Sequence, residues 1–173
     1  MSAEALREKI REIPDFPKPG ILFYDITTLL KDAASYKEAI GEMLDPYRDQ
    51  HVDIVVGMES RGFIFSAPMA YELHCGFVPV RKLGKLPAET VSVEYALEYG
   101  TNTLEIHKDA ILPGQRVLIV DDLLATGGTV SATIELVERL HGKVVAVAFL
   151  VELTAPKGRD RLQDYDVISL LKF

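Results

Sequence analysis

Cysteine is nearly absent: Cys75 stands alone, so no internal disulfide can form, and no Cys-x-x-Cys pair is available. That suits a reducing compartment. No apolar run reaches membrane-spanning length. The opening stretch Ser2 to Ile13 alternates acids with bases, and so lacks both the apolar core of a signal peptide and the acid-poor character of a transit peptide. The cytosol is the expected location. Excess positive charge is missing too. A formal net charge of −7 disfavours a general nucleic-acid binder, whose affinity rests on neutralising phosphates. Histidines 51, 74, 107 and 141 show no metal-ligand spacing, and neither a Walker-type loop nor Gly-x-Gly-x-x-Gly occurs.

What remains is an ordinary soluble composition, 48% hydrophobic and 26% charged over 173 residues, enough chain for one domain with a sizeable core. No repeat, low-complexity tract or linker divides it, so a single domain over residues 1–173 is expected. Leu6, Ile10 and Ile13 are spaced like a helix face. Phe16-Pro-Lys-Pro-Gly20 is a turn, and Ile21 to Phe23 a short apolar segment. Ser35 to Gln50 reads as a helix with Ser35 and Glu38 as a capping box. Buried strands are expected at Val52 to Gly57, Phe77 to Arg81, Val117 to Val120, Val144 to Val151 and Val167 to Leu171. Helices are expected at Gly62 to His74, kinked or started late by Pro68, and at Thr129 to His141 with Gly142 at its C-cap. Continuous apolar strands alternating with helices indicate an α/β fold, a parallel sheet with helices on both faces. Ligands of such sheets bind in the loops at the carboxyl ends of the strands.

Val117-Leu-Ile-Val-Asp-Asp-Leu-Leu-Ala-Thr-Gly-Gly-Thr129 carries the strongest chemistry. Four apolar residues bury a strand, and Asp121 and Asp122 follow at its carboxyl end. Ala125, Thr126, Gly127, Gly128 and Thr129 then open a helix. There, glycines let the backbone turn round an anion while N–H groups, hydroxyls and the helix dipole attract it. An acid pair beside an anion cradle suits a ligand with both hydroxyls and a phosphate, such as a sugar phosphate. Elsewhere, Arg81-Lys-Leu-Gly-Lys85 concentrates positive charge. Residues Lys82 to Gly100 form a connection of a length usually reserved for functional lids.

The Val117–Thr129 string resembles the diphosphoribosyl-binding motif of the phosphoribosyltransferase family. Phe16-Pro-x-Pro-Gly20, Glu59-Ser-Arg-Gly-Phe63, Arg81-Lys-x-Gly-Lys-Leu-Pro87, Leu97-Glu-Tyr-Gly100 and Leu150-Val-Glu-Leu153 resemble its adenine-using members, in the same order along the chain. The resemblance implies the type I fold of that family, with a small hood and a flexible lid loop. It also implies Mg²⁺-dependent transfer from 5-phosphoribosyl 1-diphosphate to adenine, giving AMP and diphosphate. Residues 125–129 would then take the 5-phosphate, and Asp121 and Asp122 the ribose hydroxyls. Glu59, Ser60, Arg61, Arg81, Lys82 and Lys85 would serve the diphosphate, with a cis peptide between Glu59 and Ser60. Leu22, Phe23, Tyr24 and Tyr99 would meet adenine, although some members carry arginine at the position of Tyr24. Arg61 and Glu98 are the implied catalytic groups, Glu98 as acid/base near the purine N7. Mg²⁺ would be held mainly by substrate, through water to Asp121 and Asp122. A homodimer with neither nucleic-acid nor membrane partner is implied. A 6-oxopurine acceptor, or a non-catalytic sensor of the donor, are the alternatives.

Overall fold

A computed structural model describes residues 3–97 and 100–173. These fall into two compact units, residues 1–42 and 43–173.

In the first unit, helix α1 (Ala3–Arg7) stops well short of Ile13, and Arg11–Ile13 is a strand, β1, instead. Pro14 biases Ile13 towards extended backbone, and pairing with residues 23–25 holds Arg11 and Glu12 extended as well. Strand β2 (Phe23–Asp25) pairs antiparallel with β1, Ile13 opposite Phe23 and Arg11 opposite Asp25. The Arg11 guanidinium donates to the Asp25 carboxylate through Nε at 3.0 Å. Between the strands the Phe16–Pro17 bond is cis, Gly20 has φ +85°, and its N–H donates to Asp15 Oδ1 at 2.7 Å. A short helix, α2 (Thr27–Leu30), precedes α3 (Ala33–Leu44). The cap of α3 is Asp32, whose Oδ1 accepts the Ser35 N–H at 2.8 Å, rather than the expected Ser35 and Glu38 box. The helix also ends earlier than expected, because Pro46 turns the chain into a 3-10 segment, Asp45–Tyr47.

The second unit is built on a seven-stranded sheet. Its parallel part comprises β3 (Ile54–Met58), β4 (Gly76–Lys82), β7 (Arg116–Leu124), β8 (Lys143–Glu152) and β9 (Val167–Lys172). Strands β5 (Thr90–Ala96) and β6 (Thr101–His107) form an antiparallel hairpin on its edge, giving the order β5-β6-β4-β3-β7-β8-β9. The stretch beyond Lys82 thus contains a strand, Thr90–Ala96, in place of one long loop. Its period is legible in hindsight, since Val91, Val93 and Tyr95 alternate with polar residues and pack on the core.

Helix α4 (Gly62–Glu72) follows β3, and α5 (Gly128–Arg139) follows β7. Val56, Met58, Val117 and Ile119 share a buried cluster with Val130, Ile134 and Val137 of α5. Gly57, between Val56 and Met58, instead faces α4: a Cβ there would lie 2.0 Å from Ser66 Oγ. Strand alternation therefore sets the two helices on opposite faces. Helix α4 runs from Gly62 straight through Pro68, with no late start. At the end of α5 the left-handed residue is His141 (φ +62°), with Gly142 one place further on. The His141 N–H bonds to Glu138 O at 2.9 Å and the Gly142 N–H to Val137 O at 3.0 Å, a Schellman closure.

Candidate active site

Strand β7 outruns its neighbour. Its register with β3 ends at Val120, opposite Gly57, whereas pairing with β8 continues to Leu124, opposite Glu152. The four residues after Val120 are thus held on one side and open on the other. Asp121 and Asp122 are the first two of them. They lie inside the strand and not beyond its end, so successive side chains diverge. Asp121 sits against the start of α4, where a Cβ on Gly62 would stand 2.6 Å from Asp121 Oδ1. Asp122 is buried and accepts Arg61 Nε at Oδ2, 2.8 Å away. The Asp122 N–H donates back to Asp121 Oδ1 at 2.9 Å.

Burial pushes Asp121 well above the ordinary carboxylate value, and the neighbouring Asp122 charge adds to this. Asp122 is also raised by burial, with the Arg61 guanidinium opposing the shift. Two adjacent carboxylates in a dry setting are relieved by hydroxyl donors or by a cation. Carboxylate oxygens of this kind fit a hard divalent ion that keeps most of its waters.

Beyond Leu124 the chain turns through residues 125–127, and Gly127, at φ +82°, precedes the first residue of α5. The leading N–H groups of that 12-residue helix have no acceptor within it, so they are available to an anion. Thr129 Oγ1 lies 3.3 Å from Tyr95 OH in the hairpin. Glu59, Ser60, Arg61 and residues 121–130 together line a cleft of about 240 Å³. That is below the roughly 300–1,000 Å³ typical of pockets enclosing drug-sized ligands, and suits a small polar group.

The Glu59–Ser60 peptide is cis, as expected. Arg81 donates through Nε to Glu59 Oε2 at 2.7 Å and through Nη1 to Lys85 O at 3.3 Å, so it borders the cleft through Glu59. Lys82 and Lys85 are exposed on the turn at Gly84 and do not line the cleft. Leu22, Phe23 and Tyr24 belong to the first unit, where the Phe23 and Phe16 rings meet edge-on at 5.1 Å. Glu98 and Tyr99 lie outside the described residues. Sequence reasoning passed over three residues near these segments. Gly62 leaves room for Asp121, and Tyr95 stands beside Thr129 and Gly128. Buried Glu105 accepts the Gly84 N–H and the Thr90 hydroxyl, each at 3.0 Å. The alternation of β5 could have found Tyr95; nothing local marks Glu105.

Comparison with known proteins agrees with this geometry. Residues 26–172 match the family model described as the phosphoribosyl transferase domain. An adenine phosphoribosyltransferase of Solibacter usitatus is 61% identical over 168 residues, 97% of either chain. The crystal structure of the adenine phosphoribosyltransferase of Thermoanaerobacter pseudethanolicus superposes with a TM-score of 0.94 at 59% identity, covering 99% of this chain and 100% of that one. The Saccharomyces cerevisiae enzyme, crystallised with adenine and an imino-altritol bisphosphate, gives 0.92 at 40% identity, with 98% of both chains covered. With paired acids, anion loop and full-length likeness in agreement, the chain belongs to the phosphoribosyltransferase family, among its adenine phosphoribosyltransferases.

Proposed function

We propose that the chain is a purine-salvage enzyme joining adenine to the ribosyl carbon of 5-phosphoribosyl 1-diphosphate, releasing diphosphate and AMP, and acting as a single catalytic domain. The observation that carries this reading is the placing of Asp121, Asp122 and residues 125–129 around one small cleft. The 5-phosphate is received by the free N–H groups at the start of α5 and by the hydroxyls of Thr126 and Thr129. The ribose hydroxyls donate to Asp121 and Asp122, which relieves the crowding of two neighbouring carboxylates. So held, the anomeric carbon is presented to the purine nitrogen in one orientation.

Departure of diphosphate leaves positive charge on that carbon, as in glycoside chemistry. Ser60 and Arg61 face the departing group from the cleft wall, and Lys82 and Lys85 bring charge from the neighbouring turn. Asp121 and Asp122 would hold Mg²⁺ through water. A bound Mg²⁺ supplies charge neutralisation on the diphosphate. Leu22, Phe23, Tyr24 and Tyr99 are assigned to the base and Glu98 to proton exchange near N7, following the family likeness. The protein works as a homodimer in the cytosol on this reading. Among the described residues no helix is long and apolar enough to cross a membrane.

The test is AMP formation from the donor with adenine, hypoxanthine and guanine in competition. Preference for adenine with Mg²⁺ present is expected. Preference for an oxopurine, or no diphosphate release with any base, would overturn the assignment.

A further inference from the structure

Behind the loop that receives the 5-phosphate stands a 3-10 turn, Gly158–Leu162. The two meet backbone to backbone. A Cβ on Gly158 would fall 2.1 Å from Ala125 O and 3.0 Å from Gly127 N, and one on Gly127 would fall 2.8 Å from Gly158 O. The obstructing atoms are main chain, so no side chain can move aside to make room. The turn is itself anchored by Arg159. Its Nε reaches Glu152 Oε1 at 3.0 Å, Nη1 reaches Val167 O at 2.9 Å, and Nη2 reaches Ser169 Oγ at 3.0 Å. Glu152 is buried at the end of β8, directly opposite Leu124 at the end of β7. The same β8 terminus therefore fixes both the strand entering the loop and the turn at the loop's back.

We propose that Gly158 and Arg159 are positioning residues for phosphoribosyl binding, holding Ala125 to Gly127 in the shape that aims their backbone at the 5-phosphate. Neither residue lines the cleft. The inference rests on the proposed role of that loop. Glycine at 158 permits the approach, and the Arg159 fork sets its depth by tying the turn to two strands.

Calorimetric titration with ribose 5-phosphate, alongside steady-state kinetics, tests this on wild type, Gly158→Ala and Arg159→Lys. Displacement of binding groups by about 1 Å can cost roughly 10²-fold, so ribose 5-phosphate affinity should fall at least about tenfold in Gly158→Ala. The KM for the ribosyl donor should rise in step while the KM for adenine stays unchanged. Arg159→Lys keeps the charge but loses the fork, and should show a smaller shift of the same kind. It also serves if Gly158→Ala does not fold. Wild-type affinity in the folded variants overturns the inference, as does an equal loss for donor and adenine, which marks general damage. Failure of the wild type to bind ribose 5-phosphate overturns the loop's role and the inference with it.

Discussion

Asp122 answers to two masters: it neutralises Arg61 in the free protein and is assigned to the ribose when donor binds. Removing it both deletes an acceptor and breaks the ion pair with Arg61. Hydrogen bonds to charged groups contribute about 1.5–3 kcal/mol, so Asp122→Ala should weaken the donor by roughly 10- to 150-fold. The donor KM and the AMP dissociation constant would show this, with the adenine KM far less affected. Asp121 bears on stability as well, because its charge is unfavourable in the fold at neutral pH. Asp121→Asn should raise the urea midpoint at pH 7 while impairing donor binding, and the gain should shrink as pH falls and the wild-type carboxyl takes up its proton. This acid pair was legible in the sequence because both residues follow one apolar run. Glu105 and Gly158 were not, since their partners lie on other elements.

At the scale of elements, period and punctuation located the five parallel strands, while β1, β2 and the hairpin β5-β6 were missed and helix ends were misplaced. Pro46 cut one expected helix short, and β1 took the place of the end of another, where the stripe Leu6, Ile10 and Ile13 has helical spacing. The hairpin β5-β6 was hidden among the polar residues between Lys82 and His107, although its inward residues alternate. The β3–α4 contact was also out of reach, because Gly57 looks like any strand glycine until Ser66 is found against it. Gly57→Ala would place a methyl inside that contact and should destabilise by about 1–3 kcal/mol. Chemical denaturation of a protein with native-like circular dichroism would measure it.

For the whole molecule, acid sensitivity follows from carboxylates held by partners. Hydrogen bonds from Arg159 lower Glu152, and those from Thr27 and Arg11 bring Asp25 down to about 2. Groups depressed in the fold stabilise it fully above their ordinary values near 4, and that stability is lost as pH falls through the folded values. Asp121 and Asp122 run the other way, returning stability as they protonate. The urea midpoint should therefore rise as pH falls from neutrality to about pH 5, while Asp121 and Asp122 take up protons, and drop below about pH 4.

The pairing of β3 with β7 also governs when the cleft can exist. The Arg116 N–H bonds to Asp53 from 63 residues away, and the strands are parallel. Such contacts close large loops and form slowly, whereas the β5-β6 hairpin is local. Ser60, Arg61 and the acids of β7 come together only once that long-range pair is in place. A ligand of the cleft then has nothing to grip early in folding. AMP should accordingly slow unfolding in proportion to its occupancy while leaving the refolding rate unchanged, a difference stopped-flow measurement would resolve.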